Sequence, residues 1–163
     1  MIKYTLAFLK RGNELLMLNR EKGSWMGRWN GVGGKIENGE TGEQCVLREI
    51  QEETGIQLST IEFKGNVYWY NPDGTLTGGM HLFLAELPET FEYITPYKVN
   101  EGILDWKTVD WIMHPENEGI ANNQYFLPTI LNEEAIYNFY FIYDGNTVID
   151  FYKEKLPSFS RSV

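Results

Sequence analysis

Three glutamates crowded into one short segment constrain the fold of this chain more than any other feature. Residues 47–56 read LREIQEETGI and contain Glu49, Glu52 and Glu53. On an α-helix, with about 100° between successive residues, Glu53 lies roughly 40° to one side of Glu49 and Glu52 roughly 60° to the other. Ile50 and its apolar neighbours fall on a different side. The pattern therefore predicts a helix that buries one face and presents the three carboxylates as a narrow strip.

Capping residues mark the ends of this helix. Thr41 can serve as the N-cap and Gln44 follows three residues later, which is the pattern of a capping box. Gly55 supplies a C-terminal stop because glycine adopts the left-handed conformation without strain. We therefore predict a helix over residues 42–54. The preceding residues 21–40 are rich in glycine and lack periodicity, so we expect an irregular loop, and loops of that length are usually functional.

The clustered glutamates admit two explanations. Adjacent like charges on a helix are unfavourable by about 0.2–0.5 kcal/mol per pair, and Arg48 can pair with Glu52 but cannot balance three carboxylates. The first explanation is a charged face turned to solvent. The second is a cation site, because clustered carboxylates beside open glycine backbone are oxygen ligands of the kind that Mg²⁺ prefers. Since the glutamates do not alternate with lysines, as on a stabilised surface helix, the sequence favours a magnesium site.

The remaining pattern predicts an α/β fold with a mixed sheet. Residues 4–10 and 14–20 are expected to form a hairpin, residues 60–70 and 78–87 two strands joined by a turn, and residues 102–109 a strand that runs into a short helical turn. Residues 122–135 are predicted as a second helix with Pro128 near its start. Residues 136–152 are predicted as a closing hairpin over Asp-Gly.

Composition narrows the function classes. The 163 residues fit one domain, 1–163, and carry 23 acidic against 14 basic residues for a net charge of −9. This charge disfavours a binder of polymeric nucleic acid, although a bound metal would still allow a small anionic ligand. No apolar run approaches the roughly 20 residues of a membrane span. The single cysteine, Cys45, suits a reducing compartment, so we expect a cytoplasmic protein without a membrane partner.

A longer motif surrounds the glutamates. Residues 34–56 read GKIENGETGEQCVLREIQEETGI, with Gly34, Glu40, the triplet at residues 48–50, the pair at residues 52–53 and Gly55-Ile56 at fixed spacings. From average residue usage, such a match would occur by chance in a chain of this length with a probability on the order of 10⁻⁷. The segment resembles the Nudix box in every position. The resemblance implies an α/β/α sandwich in which the box forms a loop–helix–loop, and hydrolysis of a nucleoside diphosphate linked to another moiety.

The resemblance also implies roles for the box residues. Glu52 and Glu53 match the main Mg²⁺ ligands, with Mn²⁺ as a possible substitute. Glu49 matches a ligand or general base, Arg48 the residue that orients it, and Glu40 a residue with an outer-shell or base role. A carbonyl of Gly33 or Gly34 would complete the coordination.

Outside the box, the chain is most similar to the MutT-like branch, the oxidised-purine nucleoside triphosphatases. That similarity implies hydrolysis of a (d)NTP such as 8-oxo-dGTP to a monophosphate and pyrophosphate, by a monomer or a homodimer. It implicates Asn30 as a hydrogen-bonding partner of the base, Thr5 in the same pocket and Arg20 near the phosphates. Further substrate contacts are implied at Lys35, Asn122 and Asn123, and Glu101 matches an additional acidic residue near the metal or the catalytic water.

The base-reading segment departs from this branch. Mammalian-type members have Trp-Pro-Asp-Asp where this chain has Ile-Ala-Asn-Asn at residues 120–123. Asparagine can still pair with a purine edge because its amide both donates and accepts. Stacking could come from an aromatic residue elsewhere, and the available side chains are Trp25, Tyr68, Trp69 and Tyr70. His81, His114 and Cys45 are expected to be structural.

Three alternatives stay open. Another Nudix hydrolase would act on ADP-ribose or a dinucleoside polyphosphate, and Pro72 is the only hint of it, although turn chemistry explains that proline. An isopentenyl diphosphate isomerase would need a cysteine and a glutamate placed for alkene protonation. A non-catalytic nucleotide sensor would be expected to lose box glutamates, which are intact here.

Overall fold

The computed structural model describes residues 1–157, which form a layered α/β fold. Its strands are β1 (Tyr4–Arg11), β2 (Glu14–Arg20), β3 (Trp29–Asn30), β4 (Glu62–Tyr70), β5 (Leu76–Leu87), β6 (Tyr97–Val99), β7 (Gly102–Thr108), β8 (Tyr137–Asp144) and β9 (Thr147–Lys155). Its α-helices are α1 (Gly42–Thr54), α2 (Val109–Met113) and α3 (Leu127–Asn132). No helix within these residues is long and apolar enough to cross a membrane.

All of these strands belong to one mixed sheet. The order is β6-β7-β2-β1-β5-β4-β8-β9, and β3 pairs with β2 off this path. The β1–β5 and β4–β8 pairs are parallel, and the other pairs are antiparallel. The predicted hairpins at both ends of the chain and the predicted central strand pair are confirmed. The mixed sheet of the predicted α/β fold is confirmed with them.

Helices cover both faces of the sheet, as the predicted sandwich requires. Successive residues of β1 point to opposite faces, and they enter two separate hydrophobic clusters. Leu6 and Phe8 pack with residues of α2 and α3, whereas Ala7 and Leu9 pack with residues of α1. The helix α1 therefore occupies one face and the two short helices occupy the other.

The glycine-rich loop is more ordered than its sequence predicts. The hairpin strands β1 and β2 pair only next to their turn, at Lys10↔Leu15 and Arg11↔Glu14. The loop fills the gap between them: β3 pairs with β2, while Val32 exchanges backbone hydrogen bonds of 2.6 and 3.0 Å with Ala7 of β1. Because unpaired backbone groups of a buried strand are costly, the splayed strands hold the loop in place.

The helix predicted over residues 122–135 is interrupted. A 3₁₀ turn spans Asn122–Tyr125, and α3 then begins with Pro128 in its first turn. Proline has no N–H to donate and its ring clashes with the carbonyl four residues earlier, so a continuous helix through Pro128 is disfavoured. Proline is well tolerated in a first turn. The prediction of a single helix is therefore wrong, and its physical cause is Pro128.

Candidate active site

The helix α1 is capped at both ends as predicted. The Thr41 hydroxyl accepts from the Gln44 N–H at 3.1 Å, and the Gln44 side chain accepts from the Thr41 N–H at 2.9 Å. Gly55 has a φ of 78° and donates its N–H to the Gln51 carbonyl at 2.8 Å. Val46 and Ile50 are fully buried in the core. These contacts fix the rotation of the helix and hence the direction of the glutamate strip.

Arg48 connects most of the acidic groups of the box. Its guanidinium donates to both oxygens of Glu40, at 2.6 and 2.9 Å. It also donates to Glu49 at 2.9 Å and to Glu52 at 3.2 Å, and to the Lys35 carbonyl at 3.2 Å. The bidentate pair with Arg48 lowers the pKa of Glu40 to about 2. Arg48 therefore offsets part of the repulsion in the strip, and it holds Glu40 fully engaged.

Among the three glutamates of the strip, only Glu53 has no contact with Arg48. Its side chain is 4% exposed, and Oε2 has no hydrogen-bond partner among the described residues. Burial, and then the nearby charge of Glu49, raise the pKa of Glu53 to about 8. Burial also raises the pKa of Glu49. An orphaned buried carboxyl next to a second carboxyl is unfavourable by itself, and a cation between them would satisfy both, so these residues fit a divalent metal.

The side chains predicted as metal ligands do not all lie together. Within residues 1–157, no three His, Cys, Asp or Glu side chains form a ready-made metal-binding group. Arg48 pairs instead with Glu49 and with the 58%-exposed side chain of Glu52. The roles of Glu49, Glu52 and Glu53 as ligands stay predictions.

Two glycines, Gly33 and Gly34, allow the loop to approach β1 and the glutamates of α1 closely. A Cβ at Gly33 would collide with the Thr5 carbonyl, and a Cβ at Gly34 would collide with the Glu49 carboxyl. The Gly34 carbonyl accepts the Thr5 N–H at 2.9 Å, whereas Gly33 lies close enough to lower the pKa of Glu53 by a backbone hydrogen bond. Of the two predicted carbonyl ligands, that of Gly34 therefore already accepts a backbone hydrogen bond. The Thr5 hydroxyl contacts Gly34 and the fully buried Cys45.

A cavity of about 450 Å³ adjoins this glycine backbone. Gly33, Gly34 and Arg20 line it on one side, and the charge of Arg20 also lowers the pKa of Glu53. The predicted base contacts line the same cavity, together with two of the four aromatic residues named from the sequence: Asn30, Asn122, Asn123, Trp25 and Trp69. One cavity thus brings predicted phosphate-side and base-side residues together.

The other predicted residues lie around this cavity or away from it. Glu101 lies in the turn before β7, and its charge raises the pKa of Glu49 and Glu53. Lys35 reaches the box through its main-chain carbonyl, and its side chain is exposed. Tyr68 stacks on Tyr140, at 5.6 Å between ring centroids, away from the cavity lining. His81 hydrogen-bonds Asn66 at 2.6 Å.

Sequence reasoning missed several residues that line the cavity. Tyr143 and Phe141 come from β8, Phe126 precedes α3, and Met80 comes from β5. Aromatic residues alternate along β8, and this pattern predicts a strand. It does not show that one face of the strand lines a cavity. The hydroxyl of Tyr143 accepts from the Asn122 side chain at 2.7 Å.

The sequence matches the model of a known family. A family model of the NUDIX domain matches residues 3–129. The chain therefore belongs to the Nudix family of hydrolases.

Two relatives resemble the chain over most of its length. An oxidized purine nucleoside triphosphate hydrolase of Mus musculus is 26% identical over 156 residues, 96% of each chain. The protein of that name in Danio rerio is 30% identical over 145 residues, 89% of this chain and 88% of its own. Among solved structures, a MutT protein from Bacillus halodurans has a TM-score of 0.74 at 23% identity, covering 94% of this chain and 98% of its own. The NUDIX domain of Shewanella oneidensis NrtR, complexed with ADP ribose, has a TM-score of 0.61 at 19% identity, covering 80% and 86%.

Proposed function

We propose that the chain hydrolyses a purine nucleoside triphosphate, preferentially an oxidised one such as 8-oxo-dGTP, to a monophosphate and pyrophosphate in the presence of Mg²⁺. The observation that carries the proposal is the single cavity that joins Arg20 and the box glycines to the amides of Asn30, Asn122 and Asn123. A nucleotide needs such a site, with charge near its phosphates and hydrogen-bonding groups near its base. The full-length similarity to the mouse and zebrafish hydrolases supports the same substrate class.

Glu52 and Glu53 would be the main ligands of the metal, with the Gly33 carbonyl as a further ligand. A bound Mg²⁺ would neutralise phosphate charge and lower the pKa of a coordinated water. Arg20 would bind the phosphates of the substrate, and Glu101 would lie beside the reacting water. Lys35 of the glycine-rich loop and Thr5 of β1 would make further contacts with the substrate.

Glu49 is the better general base of the two box residues considered. Both oxygens of Glu40 accept from Arg48, and Oε1 also accepts from the Glu37 N–H at 2.9 Å. Glu49 has only Oε1 engaged by Arg48, so its Oε2 is left to accept a proton from the attacking water. A base must reach the proton that it removes, and Glu40 has no oxygen free to do so. Arg48 would thus position Glu49.

The cellular setting of the proposed activity is the cytoplasmic nucleotide pool. The only cysteine, Cys45, is buried and free, so the fold needs no disulfide. Small nucleotides are the proposed partners.

A substrate panel tests the proposal. We expect turnover of 8-oxo-dGTP or 2-oxo-dATP with Mg²⁺ to exceed that of dGTP, ADP-ribose and a dinucleoside polyphosphate, with monophosphate and pyrophosphate as products. Preference for ADP-ribose or the dinucleoside polyphosphate would favour the other Nudix activity. If no compound were turned over with Mg²⁺ or Mn²⁺, the proposed hydrolysis would be refuted and a non-catalytic nucleotide sensor would be favoured.

The matched variants Glu53→Gln and Glu43→Gln make this test specific to the site. Both replace a glutamate of α1 by its amide, but Glu43 is exposed in the first turn. Because metal ions supply several kcal/mol of transition-state stabilisation, we expect Glu53→Gln to lower kcat about 100-fold or more. Glu43→Gln should retain kcat within about twofold. Activity of Glu53→Gln within a few-fold of the original protein would contradict the metal assignment.

A further inference from the structure

One backbone N–H sets the orientation of two amides in the cavity. The Gly31 N–H lies 2.8 Å from Asn30 Oδ1, and Asn123 Nδ2 lies 2.9 Å from the same oxygen. A backbone N–H only donates, so the atom of Asn30 that faces it must be oxygen. That oxygen in turn requires the NH₂ group of Asn123 to face it. The orientation of the Asn123 amide is therefore fixed from Gly31 through Asn30.

This orientation leaves Asn123 Oδ1 without a donor. The side chain of Asn123 is 2% exposed, and Oδ1 has no hydrogen-bond partner among the described residues. Asn123 also lines the cavity in which we propose that the base binds. A buried acceptor without a donor is unfavourable, and such groups are rare in folded proteins. A donor on a bound ligand would remove this penalty.

The neighbouring asparagine does not have a fixed orientation. The amide of Asn122 contacts the hydroxyl of Tyr143 at 2.7 Å. A hydroxyl both donates and accepts, so this contact persists when the amide turns over. Asn122 can therefore present either its oxygen or its nitrogen to the cavity. Asn123 differs because its contact, Asn30 Oδ1, can only accept.

We infer that Asn123 Oδ1 is a fixed acceptor that selects nucleotides whose base presents an N–H group to it, and that Asn30 is the positioning residue that keeps this oxygen turned to the base. The inference rests on the proposed function, because it assumes that the base occupies this cavity. The ligand class that it defines is a purine nucleotide with an N–H donor at one edge position. A purine with a ring nitrogen lone pair or a bare C–H at that position is rejected.

Binding of nucleoside monophosphates to the metal-free protein tests the inference without any need for turnover. Three pairs each differ in one N–H donor group: 8-oxo-dGMP and dGMP at N7 (with the adjacent C8 carbonyl), dGMP and dIMP at the 2-amino group, and dAMP and purine deoxyriboside monophosphate at the 6-amino group. By calorimetry, we expect one pair to differ at least about tenfold in Kd, the usual effect of leaving a buried polar group unpaired. Differences below threefold in all three pairs, or no binding of any monophosphate, would overturn the inference.

Variants separate the acceptor from the residue that orients it. Asn123→Leu removes the acceptor and should reduce the selective pair to a difference below about threefold. Asn30→Ala leaves Asn123 intact but frees its amide to turn over, and should reduce the same difference. Asn138→Leu is the matched control, because Asn138 pairs with the Asn66 amide on the sheet face away from the cavity lining, and it should retain the full difference. Full selectivity in Asn30→Ala would refute the positioning role.

The outcomes also distinguish this inference from the proposed function. Selective binding of monophosphates by a protein that hydrolyses no triphosphate would refute only the proposed hydrolysis. Hydrolysis of triphosphates without any N–H preference would refute only the role of Asn123.

Discussion

Arg48 and Glu53 lie on the same helix, but Arg48 forms several ion pairs whereas an oxygen of Glu53 has no partner. Arg48 contacts Glu40, Glu49 and Glu52, and so reduces the repulsion that the sequence pattern implies. Glu53 lies beyond its reach and is buried with an unpaired oxygen. The fold therefore leaves one carboxyl of the strip, that of Glu53, without a partner for its negative charge, and its pKa is raised to about 8. This is the residue at which a cation would gain most.

The Arg48–Glu40 pair predicts a pH dependence of stability. The pKa of Glu40 is about 2 in the folded protein, below its usual value of 4.5. A carboxyl whose pKa is lowered by folding stabilises the folded state above its unfolded pKa, and this contribution is lost as the pH falls through the folded pKa. We expect Glu40→Gln to lower the Tm of the metal-free protein at pH 7, and the difference from the original protein to shrink between pH 4.5 and about 2.

Thermal unfolding followed by circular dichroism at several pH values measures this difference. Glu43→Gln serves as the control because Glu43 is exposed. A Tm difference for Glu40→Gln that stays constant from pH 7 to pH 3 would show that the ion pair contributes nothing to the stability.

At the scale of elements, the loop before α1 and the cap of α1 act together. The loop is held between β1 and β2 by backbone hydrogen bonds, and the capping box of Thr41 then starts the helix at a defined residue. Glycines 33 and 34 approach β1 and α1 more closely than any side chain would allow. The distance between the cavity and the glutamate strip thus depends on backbone contacts.

Removal of the Thr41 N-cap should therefore lower the stability of the protein by a measurable amount. We expect Thr41→Ala to destabilise the protein by about 1 kcal/mol, because the Gln44 N–H loses its acceptor, and to lower Tm by about 2–4 °C for a chain of this size. Thr41→Ser keeps the hydroxyl and is the matched control. A loss in Thr41→Ser as large as that in Thr41→Ala would assign the effect to the methyl group of Thr41.

At the scale of the whole molecule, one sheet carries both the proposed catalytic residues and the proposed base-binding residues. The helix α1 and its glutamates belong to one face, and α3 and the turn with Asn122 and Asn123 belong to the other. The cavity lies where the splayed strands let the loop pass between these faces. The site therefore depends on the integrity of the entire sheet.

A core substitution tests this dependence. Phe139 of β8 is fully buried and packs against Phe126 and Phe151. We expect Phe139→Ala to destabilise the protein by about 3–5 kcal/mol, and tryptophan fluorescence and far-ultraviolet circular dichroism to report the same single transition. Ile149→Ala on the neighbouring strand β9, where the side chain is 54% exposed, should change the stability by about 0.5 kcal/mol or less. Two separate transitions would contradict the prediction of one domain.

Patterns within a short segment were predicted well. The helix α1, its caps, the hairpins and the mixed sheet follow from periodicity, turn residues and capping pairs, all of which act over a few residues. The helix predicted over residues 122–135 with Pro128 near its start begins later than predicted, because Pro128 is tolerated only in the first turn of α3. The ordered part of the glycine-rich loop was missed because its hydrogen-bond partners, Thr5 and Ala7, lie far away in sequence.

The sequence by itself determined the identity of the box, the face of α1 that carries the glutamates and the charge that a ligand must tolerate. These depend on local spacing and on residue type. Only the tertiary structure decided which glutamate is left unpaired and which way the cavity amides point. Burial and long-range hydrogen bonds control both, and the contact between Asn30 and Asn123 joins residues 93 positions apart.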